Sequence, residues 1–531
     1  MDEPMLSANC LYERKFVSLL LCNARKVVEQ LLPKLLLIRL SLHHIHLIAF
    51  LIPLGLLSGC IKQTSLEKVQ QEGVLHIVTR NAPAIYYEDK DGPAGLEYDL
   101  AKLFAEELGV ELRVRVADDQ QEIERILDGG FTNFAAAGIA STRHQNEKYK
   151  QSPFHSESPL LVIYKVGTYR PRDIEDLLGK KIEVPSTWAH RDVLVDLQQV
   201  NPALTWAESS DTDTFELLRK VVENEIDYTV IDAATLALHQ AYYPRAQIAF
   251  TLTEPLKFGW QFGSHEDGTL ADKSVLFFER IKSDGTLDHL YERYYGHIGQ
   301  LNYVDARTFK HHIGTRLPSF ISLFEEAAEE ERLDWRLLAA IGYQESHWRP
   351  HAKSPTGVRG LMMLTQATAQ DMNVADRLDP ESSIRGGARY FKKTHSRIPE
   401  RIHEPDRTWF ALAAYNVGLG HLEDARVLTE RDGKDPDKWA DVMNYLPLLQ
   451  QKKWYSQTKH GYARGEEPVH YVQNIRRYFD VLTFTSEQAL AQEMAKQQVK
   501  EESKLTTSSL DGKQTAELTL PDPLKTLPPA L

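Results

Sequence analysis

The spacing of hydrophobic residues changes character near residue 300. Residues 74–79 (VLHIVT) make a short β-like run after Gly73. In residues 98–108, Leu100, Phe104 and Leu108 recur at i, i+4 and i+8, one face of a helix, and Gly109 stands where a C-capping glycine belongs. Residues 110–116 predict the next strand. Strand and helix patterns alternate in this way to about residue 296, which predicts an α/β domain built on a sheet. From residue 303 onward strand patterns almost vanish. Residues 317–332 predict a helix rich in Glu and Ala, more helical segments follow, and the region reads as all-α.

One predicted helix of the second region carries a misplaced charge. It opens at Asp334, a suitable N-cap, and continues through good helix formers from Trp335 to Tyr343. Leu337, Leu338 and Ile341 form its apolar stripe. Glu345 lies four residues after Ile341 and eight after Leu337, so it falls on the same, inward face. Burial and the negative end of the helix dipole both oppose its ionisation. A carboxyl that stays protonated near neutral pH is what a general acid needs. The stretch alone leaves open the plainer reading, a Glu that ends the helix and reaches water.

The composition narrows the class. A chain of 531 residues has room for roughly three to four domains. Its formal net charge of -13 excludes a general affinity for nucleic acid or anionic membrane surfaces. Cys10, Cys22 and Cys60 are the three cysteines, so the body of the chain holds no disulfide and no cysteine metal site. The histidines show no HExxH or paired spacing, and no metal or cofactor is expected.

Residues 47–57 (LIAFLIPLGLL) are an uncharged apolar run, too short to span a bilayer comfortably and suited to the core of a secretory signal. The run ends in Leu57-Ser58-Gly59-Cys60, which resembles a bacterial lipobox. That resemblance implies cleavage before Cys60 and acylation of its thiol, with several acyl chains giving a stable anchor. Ile61 follows where an inner-membrane retention signal would place Asp, so the same rule points to the outer membrane. As many as 46 residues precede the run, more than an ordinary n-region holds, which leaves the translation start open.

Residues 61–300 resemble the type 2 periplasmic solute-binding proteins that take amino acids. The resemblance rests on Gly95-Leu96-Glu97-Tyr98-Asp99-Leu100, on Ala137-Gly138-Ile139-Ala140-Ser141-Thr142-Arg143, and on Ile281-Lys282-Ser283-Asp284-Gly285-Thr286-Leu287 with Tyr294-Tyr295-Gly296. It implies two lobes closing on a ligand by hinge motion. It also implies that Arg143 clamps a ligand carboxylate with its guanidinium fork and that Asp232 receives a ligand amine. An amino acid or a muropeptide is the implied ligand. A scaffold that has lost its binding cleft is the alternative.

Residues 301–485 resemble the Slt-type lytic transglycosylases, glycoside hydrolase family 23, which have a lysozyme-like all-α fold. Four segments in order carry this: Glu345-Ser346, then Gly357 with Gly360-Leu361-Met362, then Ala413-Ala414-Tyr415-Asn416-Val417-Gly418, then His470-Tyr471-Val472. The resemblance implies peptidoglycan glycan strands as substrate and Glu345 as the single catalytic acid. Ser346 would polarise the substrate acetamide or fix Glu345, unless its hydroxyl only satisfies a helix-end carbonyl. Tyr415 would stand near the acid, Asn416 would hold the loop, and Met362 and Tyr471 would line the sugar cleft. Gly357 and Gly360 would let a loop fold close to the sugar. The chain departs from many such enzymes in having Met363 where Gln follows Gly-Leu-Met. Asp371 and Asp376 are the nearest further carboxylates, by sequence distance only.

The enzyme reading, a transglycosylase on the inner face of the outer membrane, competes with two others. A hydrolytic muramidase of the same fold would need a second carboxylate to activate water. A non-catalytic receptor would only grip glycan while the first domain senses a ligand. Residues 486–531 form a tail rich in Gln, Lys, Glu, Ser and Thr, expected to be disordered after a helical stretch over 486–500.

Overall fold

A computed structural model describes residues 63–89, 92–209, 214–297, 303–354 and 357–509. Cys60 and the leader lie outside these residues, as does everything after residue 509.

The first part of the chain folds around two five-stranded sheets. In one, the strands run in the order Glu111–Ala117, Val74–Arg80, Phe134–Ala135, Gln261–Phe262, Lys150–Gln151. Val74–Arg80 pairs in parallel with Glu111–Ala117 along its whole length. Parallel neighbours need a crossover, and helix α1 (Leu96–Leu108) lies in it. Its buried residues Leu100, Ala101, Phe104 and Leu108 sit at helical spacing, as the periodicity predicts, and Gly109 closes it at φ 72°.

The chain then crosses to a second sheet, ordered Ala207–Ser209, Ile182–Pro185, Tyr228–Asp232, Leu160–Lys165, Ala246–Thr251. It returns to the first sheet at Gln261–Phe262, which is antiparallel to Phe134–Ala135. The outgoing segment Ser156–Ser158 and the returning segment Leu256–Phe258 pair antiparallel between the two sheets. Each lobe has its own core. Phe104, Phe134, Trp260, Phe277 and Phe278 pack in the first, and Leu160, Val162, Val184 and Val230 in the second. Two lobes joined by a pair of strands are the expected type 2 binding-protein architecture.

Helix α2 (Thr286–Tyr295) leads to an all-helical region. Its main elements are α3 (Ile321–Glu331), α4 (Trp335–Ser346), α5 (Pro380–Ser396), α6 (Asp406–Val417) and α7 (Glu466–Ser509). The helix expected over 317–332 is divided. Pro318 has no N–H to continue an α-ladder, and Leu317–Ser319 forms a 3-10 turn ahead of α3. Phe324, Leu338, Ile341, Met362, Phe391, Phe410 and Val472 belong to one core, with α4 and α6 both packed on α7.

Helix α7 also reaches the first part of the chain. Arg476, buried over the Trp409 ring at 3.9 Å, donates to the Glu292 carboxylate at 2.8 Å and to the backbone carbonyls of Glu292 and Arg293. Burial holds Glu292 above its ordinary range and Arg476 below its own, and their mutual attraction offsets part of that cost. Further along, Phe484 stacks on Phe215 of the second lobe with ring centroids 4.3 Å apart. The expected boundary at residue 485 falls inside a single 44-residue helix, directly after its buried Phe484.

Candidate active site

The acid is positioned by the two ends of α4. At the start, the Asp334 carboxylate accepts the Arg336 backbone N–H at 2.8 Å, the expected cap. At the end, His347 and Trp348 both take φ 53° and turn the chain away. The buried Trp348 indole pins that turn by donating to the Ala339 carbonyl at 2.8 Å. Glu345 stands in the last turn, half-buried, on the side that faces α7.

Tyr471 comes from α7, 126 residues away in sequence, and its hydroxyl donates to Glu345 Oε1 at 2.6 Å. Tyr415 of α6 stacks beside Tyr471, centroids 6.3 Å apart and planes 16° apart, and Tyr390 of α5 packs on Tyr415 at 4.9 Å. The Tyr415 hydroxyl donates to the Met362 carbonyl at 3.4 Å. Burial pushes the Glu345 carboxyl up to about 7, and the Tyr471 hydrogen bond pulls in the opposite direction. Burial and the nearby Glu345 hold the Tyr471 hydroxyl well above the ordinary phenol range, so it remains a donor. The arrangement can hold a proton near neutral pH and release it to a group in front of Oε2.

On the other side of Glu345 lies a cavity of about 760 Å³, lined also by Met363, Phe320 and Trp348. Gly360 shapes the loop that reaches it. Its φ is +89°, and a Cβ there would stand 1.7 Å from the Arg377 carbonyl oxygen.

The remaining expected residues have varied surroundings. Met362 is fully buried, with its side chain against Gly342 and Gly387, where added Cβ atoms would meet it at 3.2 and 2.7 Å. It therefore fills the core between α4 and α5 and does not line a cleft; Met363 is the methionine at the cavity. The Ser346 hydroxyl donates to the Gly342 carbonyl and accepts the Arg349 N–H, both at 3.1 Å. The Asn416 side chain is exposed and makes no hydrogen bond among the described residues. Asp371 is bound to Lys393 at 2.6 Å and Asp376 accepts the Leu378 N–H, and neither lines the cavity. Tyr390 was not singled out in the sequence, where it is one more helical aromatic.

In the first part of the chain, Asp232 caps the helix after its strand, accepting the Thr235 N–H at 2.9 Å and the Ser158 hydroxyl at 3.2 Å through Oδ1. Arg143 opens a short helix, is exposed, and has no ion pair among the described residues. Arg80, unremarked in the sequence, donates to the Ala137 carbonyl at 2.9 Å. Burial holds the His190 imidazole down at about 4; Asp232 acts against this and Arg80 with it, so both charges reach one site.

Two family models match the chain: bacterial extracellular solute-binding proteins, family 3, over residues 75–297, and the transglycosylase SLT domain over residues 322–438. A protein of Hahella chejuensis named membrane-bound lytic murein transglycosylase F is 51% identical, over 90% of this chain and 93% of its own. One of the same name from Marinobacter nauticus is 49% identical over 81% and 86%. The chain belongs to the membrane-bound lytic murein transglycosylase F family. Among solved structures, an ancestral arginine-binding protein bound to arginine matches 42% of this chain and 98% of its own, at 23% identity and a TM-score of 0.39. The SLT match contains Glu345, Met362 and Tyr415 but ends at residue 438, so Tyr471 reaches the acid from outside it.

Proposed function

We propose that this chain is a peptidoglycan lytic transglycosylase. Glu345 protonates the glycosidic oxygen between N-acetylmuramic acid and N-acetylglucosamine. The C1–O bond breaks, and the substrate's own N-acetyl group relieves the oxocarbenium-like charge. The Glu345 carboxylate then takes the proton of the C6 hydroxyl. The C6 oxygen bonds to C1 and closes a 1,6-anhydro ring, so no water is consumed.

The observation that carries this reading is a lone carboxyl, raised to about 7, at a cavity with no second acidic lining residue among those described. Hydrolysis with two carboxylates needs a partner about 5–9.5 Å away, and Asp371 and Asp376 are engaged elsewhere. Digestion of purified sacculi with the full chain tests it by mass. Products with anhydro ends, lighter by one water than reducing ends, are expected; reducing ends would transfer the assignment to a muramidase.

The relatives are named membrane-bound, and no helix among the described residues is long and apolar enough to cross a membrane. We place the anchor at Cys60, with the enzyme on the periplasmic face of the outer membrane. Incorporation of labelled fatty acid, abolished by Cys60→Ala, is the check. The first domain is proposed to regulate the second by binding an amino acid or muropeptide between its lobes through Arg143 and Asp232. The contacts of α7 with both lobes and with Glu345 support that coupling. Ligand-induced changes in wild-type activity that persist in Asp232→Ala would remove Asp232 from this role.

A further inference from the structure

The segment just ahead of α7 carries a chemistry that the proposed reaction leaves unused. The solute-binding match ends at residue 297 and the transglycosylase match at residue 438, so residues 446–465 lie outside both. Their sequence, LPLLQQKKWYSQTKHGYARG, holds Lys452, Lys453, Lys459 and Arg464 and no carboxylate, in a chain whose formal net charge is -13. None of these residues lines the cavity at Glu345.

The segment is closed at its base. A Cβ on Gly465 would stand 1.6 Å from the Leu446 carbonyl oxygen, and the Ala463 N–H donates to the Leu449 carbonyl at 3.2 Å. Leu446 and Leu449 are fully buried in the helical core, and Trp454 packs against it. Farther out, the buried Asp424 carboxylate accepts the backbone N–H groups of Lys459 and His460 at 3.1 and 2.7 Å. What this frame presents to water is cationic and aromatic. Tyr462 is 56% exposed, with Tyr455 edge-on to it at 5.8 Å. Lys452, Lys453 and Lys459 are exposed, and among the described residues no carboxylate is within ion-pair distance of them. Lys453 lies over the Trp454 ring at 4.9 Å, and Arg464 pairs with the exposed Glu467.

We propose that residues 446–465 form an exosite for polymeric peptidoglycan, a surface outside the reacting cavity that holds the wall network while Glu345 works on one bond. The inference rests on the transglycosylase reading above. The network is a polyanion of hydrated sugars, and unpaired ammonium groups on a net acidic protein complement it. An exposed Tyr offers an apolar ring face to the C–H face of a sugar and a hydroxyl to its polar edge. The placement fits as well: Gly465 stands six residues before Tyr471, roughly 9 Å of helix rise from the phenol that touches the acid. An anionic lipid surface is the other polyanion at hand. A patch that enters lipid exposes apolar side chains beside its cations, whereas here the amphipathic Tyr462 is the one large hydrophobic side chain of the segment that is exposed.

The test uses the full-length protein with Cys60→Ala, which removes the proposed acyl anchor, and measures co-sedimentation with purified sacculi at low and raised salt. Lys452→Gln, Lys453→Gln and Lys459→Gln together should weaken that binding roughly tenfold at low salt, and Tyr462→Ala roughly threefold. Raised salt should narrow the lysine effect and leave most of the tyrosine effect. Anhydro-end formation on limiting sacculi should fall with the affinity. On a soluble tetrasaccharide, which offers no polymer beyond the reacting sugars, kcat/KM should stay at the parent value. Sacculus binding unchanged by the triple substitution would overturn the proposal, as would an equal loss of rate on sacculi and tetrasaccharide. Loss of binding to phosphatidylglycerol vesicles with sacculus binding intact would also overturn it and assign the segment to the membrane. Absence of anhydro ends from both substrates with the parent protein would instead refute the transglycosylase reading, and the binding comparison would still decide the exosite.

Discussion

Replacing Glu345 by Gln should abolish activity and, at alkaline pH, make the protein more stable. The amide is nearly isosteric and its oxygen can still accept the Tyr471 hydroxyl, now at 2.6 Å from Oε1. What disappears is an ionisation that burial opposes. A carboxyl raised from the ordinary 4.5 to about 7 represents about 3 kcal/mol at about 1.36 kcal/mol for each factor of ten. Because Glu345 is only half-buried and meets water on the cavity side, we discount this to about 2 kcal/mol. The sign follows from the raised folded-state value. The contribution of protonated Glu345 is complete below the unfolded value near 4.5 and is lost as pH rises through about 7. At pH 8 the variant should therefore unfold later than wild type, by about 4–8 °C if the cooperative unit has about 150–250 residues. At pH 5 the gap should shrink to about 0.8 kcal/mol. Calorimetry of both proteins at the two pH values reads this directly. An equal gap at both, or a less stable variant at pH 8, would refute the claim that this site holds a proton on Glu345. Formation of anhydro ends should drop about a thousandfold, within the range for loss of a general acid.

Three further outcomes are expected. Wild-type activity should fall above about pH 7 as Glu345 ionises; Tyr471→Phe removes the bond that favours the ionised form, so this alkaline limb should move to higher pH while kcat falls about tenfold, and a limb that stays or moves down would contradict the geometry. Gly360→Ala forces a Cβ to 1.7 Å from the Arg377 carbonyl at φ +89° and should cost about 3 kcal/mol or more in a urea titration. Arg476→Ala leaves Glu292 buried without its partner and should cost about 3–5 kcal/mol, read by calorimetry as earlier unfolding than wild type.

Local periodicity carried much of the architecture. The strand at Val74, the helix ending at Gly109 and the inward face of α4 with Glu345 on it are all set by spacings of a few residues. The motif segments pointed to Glu345, Tyr415 and Tyr471, and the structure brings these three side by side. Other features had no such signal. The two-residue strand Gln261–Phe262, which returns the chain to the first sheet, is too short to show a period. The cavity at Glu345 joins Arg316 and Phe320 to residues 348–353 and Met363, three stretches that no local spacing connects.

Helical spacing told which face of α4 Glu345 occupies, since that depends on the 3.6-residue turn alone. It could not tell how far the carboxyl would hold its proton. That depends on how much water three other helices exclude, and on one hydroxyl delivered from 126 residues away. The same division separates the two methionines. Gly-Leu-Met marks a loop near the acid, but Met362 turns into the core because Gly342 and Gly387 leave room for it there, and Met363 is left at the cavity. Side-chain direction in a loop is decided by the space that distant elements leave, and only the packed chain contains that information.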